Sequence, residues 1–355
     1  MKVYRAIGLM SGTSLDGIDV AMIYTDGEKL VEPRRFLSVP YDDALRSQLR
    51  ACFGAPDHGP VKEATRALTL AHVEAVQTFM TQNGLDVGQV DLIGFHGQTI
   101  YHAPEKGVTC QIGDGALLSS MTGIPVVNDF RSKDVAAGGQ GAPLAPIYHQ
   151  ALAAEMEKPV VFLNIGGVAN VTYVGDSELL AFDTGPGNAL IDDWILAKTG
   201  KRYDDGGALA LSGKVDESIL SQLLAHPFFA RKPPKSLDRD AFVSKLWSGL
   251  SAADGAATLS AFTVRAVAAA AQHFPQAPAP WIVCGGGRHN VYLMGQLQRH
   301  INAPVLPIEE VGWNGDATEA EAFAYLAVRS LRGLPISFPG TTGAPTPMMG
   351  GRVSP

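Results

Sequence analysis

The segment Gly8-Leu-Met-Ser-Gly-Thr-Ser-Leu-Asp-Gly-Ile-Asp19 gathers the hydroxyls of Ser11, Thr13 and Ser14 and the carboxylates of Asp16 and Asp19 around Gly8, Gly12 and Gly17. Such a turn offers backbone N–H groups and hydroxyls to phosphate oxygens, and oxygen ligands to a magnesium ion that keeps several of its waters. A ligand-free hairpin with hydroxyl-backed turns explains the same residues. No Gly-Lys-Ser/Thr follows, so this is not a Walker A loop. In Phe182-Asp183-Thr184-Gly185-Pro186-Gly187-Asn188, a carboxylate stands at the carboxyl end of a strand beside a helix N-terminus. Ligands of α/β sheets bind at such places, although a turn Asp bonded to nearby amides has the same appearance. Asn188 reads as the N-cap of a helix beginning at Ala189, and Gly200 as its end. In Val283-Cys-Gly285-Gly286-Gly287-Arg-His-Asn290, the glycines let a ring or a phosphate lie against the backbone, or simply pack a strand-to-helix turn. The order is not Gly-x-Gly-x-x-Gly, which disfavours a nicotinamide enzyme.

Further candidates lie in Gly94-Phe-His-Gly-Gln-Thr-Ile-Tyr-His102, Gln111-Ile-Gly-Asp114 and Asn128-Asp-Phe-Arg131. His96 follows a strand-like run and sits between Gly94 and Gly97. Arg131 is suited to bidentate recognition of a substrate carboxylate, against the commoner fate of a surface ion pair. Asp316-Ala-Thr-Glu319 reads as a helix-capping pair, and capping alone explains it. Val135–Pro146, with Gly138-Gly-Gln-Gly-Ala-Pro143, reads as a hinge.

The elements that must position these residues follow from hydrophobic pattern and punctuation. Strands are expected over Val3–Leu9, Asp19–Thr25, Val31–Val39, Asp91–Phe95 and Ile124–Val127, with helices over Tyr41–Cys52, Val61–Asn83 and Gly115–Met121. Strands recur over Pro159–Asn164, Ala169–Val174 and Leu179–Phe182, so a strand, glycine turn and strand occur twice. Helices then dominate: Gly187–Lys198, Asp216–Ala225, Asp240–Trp247, Gly255–His273, His289–His300 and Asp316–Arg332, with strands at Pro280–Cys284 and Val305. This is an α/β chain with a repeated opening motif. Expected domains are 1–128 and 129–335, followed by an irregular, surface-lying tail over 336–355 that is rich in Pro, Gly and Thr.

Composition narrows the function classes. The chain has 355 residues, 46% hydrophobic and 18% charged, which suits a globular protein of two domains and excludes disorder. Its net charge of −7 gives no general footprint for nucleic acid. The apolar stretch Ala252–Gln272 carries Asp254 and Arg265 and reads as a buried helix, so no membrane partner is expected. The first residues do not form a secretory signal, and Cys52, Cys110 and Cys284 are too scattered for a disulfide frame or a zinc site. A cytoplasmic location is expected. The 39 glycines cluster at strand ends, as expected around a bulky polar ligand such as a nucleotide.

Taken in order, Gly8–Asp19, Gly94–His102, Gln111–Gly115, Asn128–Pro146, Asn164–Asn170, Phe182–Asn188, Cys284–Asn290 and Glu319–Ala327 resemble the anhydro-N-acetylmuramic acid kinases. That family lies within the superfamily of sugar kinases, actin and heat-shock chaperone ATPases. One loop departs, with Leu237-Asp238 where the family pattern has Thr-Gly; it lies away from the expected chemistry. The resemblance implies two duplicated actin-like ATPase domains, ribonuclease H-like, with an ATP cleft between them. It places Gly12, Thr13, Ser14, Leu15, Asp16, Gly17, Ile18 and Asp19 in the first phosphate motif and Asp183, Gly185, Gly187 and Asn188 in the second. Gly285, Gly286, Gly287 and Asn290 match the adenosine-side motif.

The implied reaction takes 1,6-anhydro-N-acetylmuramate, ATP and water to N-acetylmuramate 6-phosphate and ADP, a step in peptidoglycan recycling, typically by a homodimer. Asp183 is the expected general base. Ser14, Asp16, His96, Arg131 and Glu319 are expected around the sugar, and Asp16 and Asp19 near Mg2+ through water. The rivals are a kinase of an ordinary sugar hydroxyl, which consumes no water, and a non-enzymatic ATP-binding switch, which would carry partner-binding segments not visible here.

Overall fold

A computed structural model describes residues 2–54, 60–237, 239–242 and 245–355. The chain forms two compact units, residues 1–154 together with 316–355, and residues 155–315.

The first unit is built on β1 (Tyr4–Met10), β2 (Gly17–Thr25), β3 (Val31–Pro40), β4 (Leu92–Phe95), a separate hairpin of β5 (Gln98–Ala103) and β6 (Val108–Ile112), and β7 (Val126–Asn128). The second contains β8 (Val160–Ile165), β9 (Val168–Val174), β10 (Leu179–Pro186), β11 (Trp281–Cys284) and β12 (Val305–Pro307). A last strand, β13 (Arg352–Ser354), returns to the first unit and pairs antiparallel with β7. The sheet orders are β13-β7-β4-β1-β2-β3 and β10-β9-β8-β11-β12. In each, three antiparallel strands form a meander and two more run parallel to the first of them. The repeated opening motif of the sequence is therefore one strand order used twice.

Burial follows the pattern of side chains. Ile7, Leu9, Val20, Ile93 and Phe95 of the first sheet share a core with Leu68, Val76 and Phe79 of the helix Pro60–Gln82. Val161, Leu163, Phe182, Trp281 and Val283 of the second pack with Leu259 and Phe262 of the helix Ala252–Ala270. Ser251 caps that helix by accepting the Asp254 N–H, and among the described residues no helix is long and apolar enough to cross a membrane. Among the described residues Cys52, Cys110 and Cys284 form no disulfide.

The units differ from the domain limits expected at 128/129 and 335/336. Helix Thr318–Leu331 packs on β1, β2 and β4, and β13 adds to the same sheet, so residues 129–154 and 316–355 belong with the first unit. The tail is neither irregular throughout nor confined to the surface: Ser337, Thr341 and Thr342 are buried. Gly8 and Gly94 explain the helix packing. A Cβ on Gly8 would lie 1.7 Å from the Ala320 carbonyl oxygen, and one on Gly94 2.1 Å from that of Phe323. These two glycines admit a helix, where the sequence pattern suggested a ligand. The helix expected over Asp240–Trp247 includes residues 243 and 244, outside the described residues; residues 240–242 lie in a 3-10 turn, Arg239–Phe242, and 245–247 in a bend and turn.

Candidate active site

The turn between β1 and β2 is held from inside by its carbonyls. Gly12 O accepts from Leu15 N at 3.1 Å and from Gln98 Nε2 at 3.1 Å, Leu15 O from Arg46 Nε at 3.0 Å, and Asp16 O from Tyr41 N at 3.0 Å. Leu15 adopts φ +58°, and its side chain and that of Ile18 are core, so only their backbone remains for a ligand. Ser11 is also consumed, donating to Gly97 O at 2.9 Å. Thr13, Ser14 and Asp16 are left exposed. Burial raises the Asp19 carboxyl, a Ser38 hydrogen bond lowers it, and the negative charges of Asp316 and Asp16 raise it again. Such a set of hydroxyls and mutually repelling carboxylates fits a hard, oxygen-seeking cation, as Mg2+ would be. Among the described residues no group of three or more His, Cys, Asp or Glu side chains is arranged to hold a metal ion.

Beside this turn the first unit gathers the other three sugar-side candidates. His96 is buried, and its Nδ1 donates to Gly97 O at 2.8 Å, which leaves the Nε2 lone pair facing Arg131 Nη2 at 2.9 Å and Nε at 3.2 Å. Burial, then the Arg131 charge, drives the imidazole well below its ordinary value, so His96 stays neutral and braces the guanidinium. Arg131 also donates from Nη1 to Gly141 O at 2.7 Å. Burial lowers it to about 10, opposed by Glu319 and Asp134, and it remains cationic at neutral pH. Glu319 is open to water although protein atoms crowd it; burial raises its carboxyl, Arg131 lowers it and Asp19 raises it. Helix Thr318–Leu331 follows Ala317 at its N-cap, a residue whose side chain supplies no cap bond.

Asp134, which the sequence pattern did not single out, fixes the neighbouring glycine segment. Its Oδ1 accepts from Gly141 N at 2.6 Å, and its Oδ2 from Thr342 Oγ1 at 2.6 Å and from the Ser337 hydroxyl. Gln140 N donates to Thr342 O at 2.7 Å. The segment expected to be a hinge is thus pinned to the tail of its own unit. Tyr41 places a buried hydroxyl beside Ser11 and near Asp19.

In the second unit Asp183 sits near the end of β10, at a bulge in the pairing with β9. Its N–H donates to Lys235 O at 2.9 Å, and its Oδ2 accepts from Leu237 N at 2.7 Å. Burial raises the carboxyl to about 7, against the Leu237 amide and the Lys235 charge. This corrects one expectation: the departing loop at Leu237-Asp238 does touch the candidate base. Leu237 supplies the contact, and Asp238 lies outside the described residues.

Gly187, Asn188 and Ala189 donate their N–H groups to the carbonyls of Gly166 and Gly167, which draws the β8–β9 turn against the helix start. Asn188 is the N-cap residue by position, but its side chain donates to Ile165 O at 3.0 Å and caps nothing. Gly200 closes the helix with φ +74°. A Cβ on Gly185 would meet Ala266, and one on Gly187 would lie 2.2 Å from Gly166 O. Of the three glycines after β11, Gly285 and Gly287 pack against Asn164 and Ile165, while a Cβ on Gly286 would meet Asn188 Nδ2 at 3.9 Å, an ordinary contact. Asn290 caps helix Val291–His300 through Leu293 N at 3.0 Å. Gly286, His289 and Asn290 line a cavity of about 420 Å³ with Asn188, Tyr203 and Asp205. That size suits a nucleoside.

Hydroxyls and carboxylates on a glycine turn suit a phosphate and its cation, and a carboxyl that titrates near neutrality suits proton removal from an acceptor. Together they describe a kinase. The family model described as anhydro-N-acetylmuramic acid kinase matches residues 4–355. A relative of that description from Paramagnetospirillum magneticum (strain ATCC 700264 / AMB-1) is 56% identical, covering 98% of each chain. One from Rhizorhabdus wittichii is 56% identical over 99% of each, and one from Zymomonas mobilis subsp. mobilis is 52% identical over 98% of this chain and 99% of its own. The chain belongs to the anhydro-N-acetylmuramic acid kinase family and is an enzyme of phosphoryl transfer.

Proposed function

We propose that the enzyme opens the 1,6-anhydro ring of 1,6-anhydro-N-acetylmuramate with water while transferring the γ-phosphoryl group of ATP to the 6-oxygen. The observation that carries this reading is Asp183, a carboxylate raised to about 7 by burial, with one oxygen bonded to Leu237 N and the other accepting no hydrogen bond among the described residues. Water attacks the anomeric carbon and gives a proton to Asp183. The bond from that carbon to the 6-oxygen breaks, and the freed oxygen takes the phosphoryl group as ADP leaves. The phosphoryl group replaces the acid that would otherwise protonate this leaving oxygen.

The first unit supplies recognition. Arg131, held by His96 and Gly141, is the partner for the lactyl carboxylate of the sugar, and Glu319 and Asp16 are partners for its hydroxyls. The turn Gly12–Asp19 receives phosphate oxygens through Thr13, Ser14 and backbone N–H groups. Asp16 and Asp19 would hold Mg2+ through water, and bound there it would offset charge on the phosphate oxygens. Gly185, Gly187 and Asn188 shape the second phosphate site, and the cavity at Gly286 and Asn290 receives adenosine. Peptidoglycan recycling in the cytoplasm by a homodimer completes the reading.

The test is incubation with Mg-ATP and 1,6-anhydro-N-acetylmuramate in oxygen-18 water, with mass spectrometry of the sugar. One heavy oxygen at the anomeric position of a 6-phosphate supports coupled hydrolysis and transfer. A phosphorylated product with its anhydro ring intact would overturn it in favour of an ordinary hydroxyl kinase.

A further inference from the structure

Lys235 is only 8% exposed, and a buried cation persists only when it is solvated by the protein. Its Nζ donates to Phe228 O at 3.3 Å and lies 4.5 Å from the centroid of the Phe228 ring and 5.8 Å from that of Phe182. Phe182 precedes Asp183 on β10, and successive residues of a strand face opposite sides. The ammonium is thus anchored on one side of β10, and the main chain of the same residue is bonded to the strand at Asp183. Two residues on, Leu237 N reaches the carboxylate itself.

We propose that Lys235 is a positioning residue for Asp183: its anchored ammonium holds residues 235–237 as a strap that engages one carboxylate oxygen and leaves the other for the attacking water. This rests on the reading of Asp183 as the base. The strap also accounts for the departure from the family pattern at position 237. Only a backbone N–H is used there, and every residue except proline supplies one. Among the described residues, the Lys235 charge acts on Asp183, Arg231 acts on Lys235, and Lys235 in turn acts on His273. Removing the ammonium therefore makes the Asp183 carboxylate harder to ionise.

The experiment compares Lys235→Met and Lys235→Arg, each with and without Asp183→Asn, in the full chain with Mg-ATP and 1,6-anhydro-N-acetylmuramate. Lys235→Met is expected to lower kcat by about 10- to 100-fold, the scale on which groups that orient a reacting ligand act. It should leave KM for ATP unchanged and move the acid limb of the kcat–pH profile upward. Lys235→Arg should recover most of the loss. In the Asp183→Asn background, Lys235→Met should change the residual rate little, because its route of action is gone. An unmoved limb and rate in folded Lys235→Met, or an equal loss without the Asp183 carboxylate, overturns the proposal. Should Lys235→Met not fold, Leu237→Pro removes the N–H together with the Leu237 side chain, and Leu237→Ala, which keeps the N–H, is its control; an upward limb in the proline variant alone supports the strap and an unchanged limb overturns it. Near-normal turnover in Asp183→Asn alone would instead overturn the base.

Discussion

The two sheets share a strand order and treat carboxylates in opposite ways. In the first unit Asp316 and Asp16 raise the Asp19 carboxyl, while Arg131 lowers and Asp19 raises that of Glu319, so several charges bear on each acid. In the second, Asp183 answers to one amide and one buried cation, and burial outweighs both. The turns differ likewise. The β1–β2 turn faces its carbonyls inward and leaves Thr13, Ser14 and Asp16 exposed, whereas the β8–β9 turn gives its Gly166 and Gly167 carbonyls to a helix start. A clustered set of acids suits holding an ion and a polyol. An isolated, partly dehydrated acid near neutrality suits moving a proton.

Asp183→Asn should break the comparison most severely, lowering kcat by about 10²- to 10⁴-fold, the weight of a placed acid–base group. Steady-state kinetics should show an almost unchanged KM for ATP; a normal kcat would remove the contrast between units. Arg131→Met should raise KM for the sugar by about 10- to 100-fold, matching the loss of a charge-assisted hydrogen-bond pair. An unaltered sugar KM would place the lactyl carboxylate elsewhere. Gly94→Ala should destabilise the protein by about 1–3 kcal/mol through overpacking against Phe323, read as a lower midpoint in denaturant. A silent substitution would mean that the helix is not seated so closely. Finally, Asp183 must be ionised to accept a proton, and burial lifts it to about 7. Wild-type kcat should therefore fall as pH drops through about 7, approaching a tenfold loss per unit. A limb at the ordinary carboxylate value would mean that water reaches this acid freely.

Much of this was legible in local pattern. The two strand–turn–strand openings, the helix ended by Gly200 and the apolar helix at Ala252–Ala270 were readable because neighbouring residues determine them. The β5–β6 hairpin was overlooked, although Pro104-Glu-Lys-Gly107 supplies its turn. Long-range pairing was less accessible. Nothing local tells Arg352–Ser354 to join β7, or Thr318–Leu331 to settle on Gly8 and Gly94, so the unit limits departed from those expected. The site shows the same division. Asp183, His96 and Arg131 stood out by type and setting and Glu319 only through the resemblance, but Asp134 and Lys235 make bonds to backbone and hydroxyl groups that no spacing announces. Asn188 looked like a cap by type and spends its amide on Ile165 instead.

The return of residues 316–355 to the first unit has a temporal meaning. Residues 155–315 are contiguous, so on the ribosome everything this unit needs has been made before helix Thr318–Leu331 emerges. The earlier-made unit must wait, its β1 and β4 lacking their covering helix and β7 its partner strand, until residues 316–355 have been translated. Birth order and completion order are therefore reversed. A chain halted before Thr318 would lack Glu319 as well as the helix that covers the sheet, so an interrupted product would be deficient in recognition and in folding together.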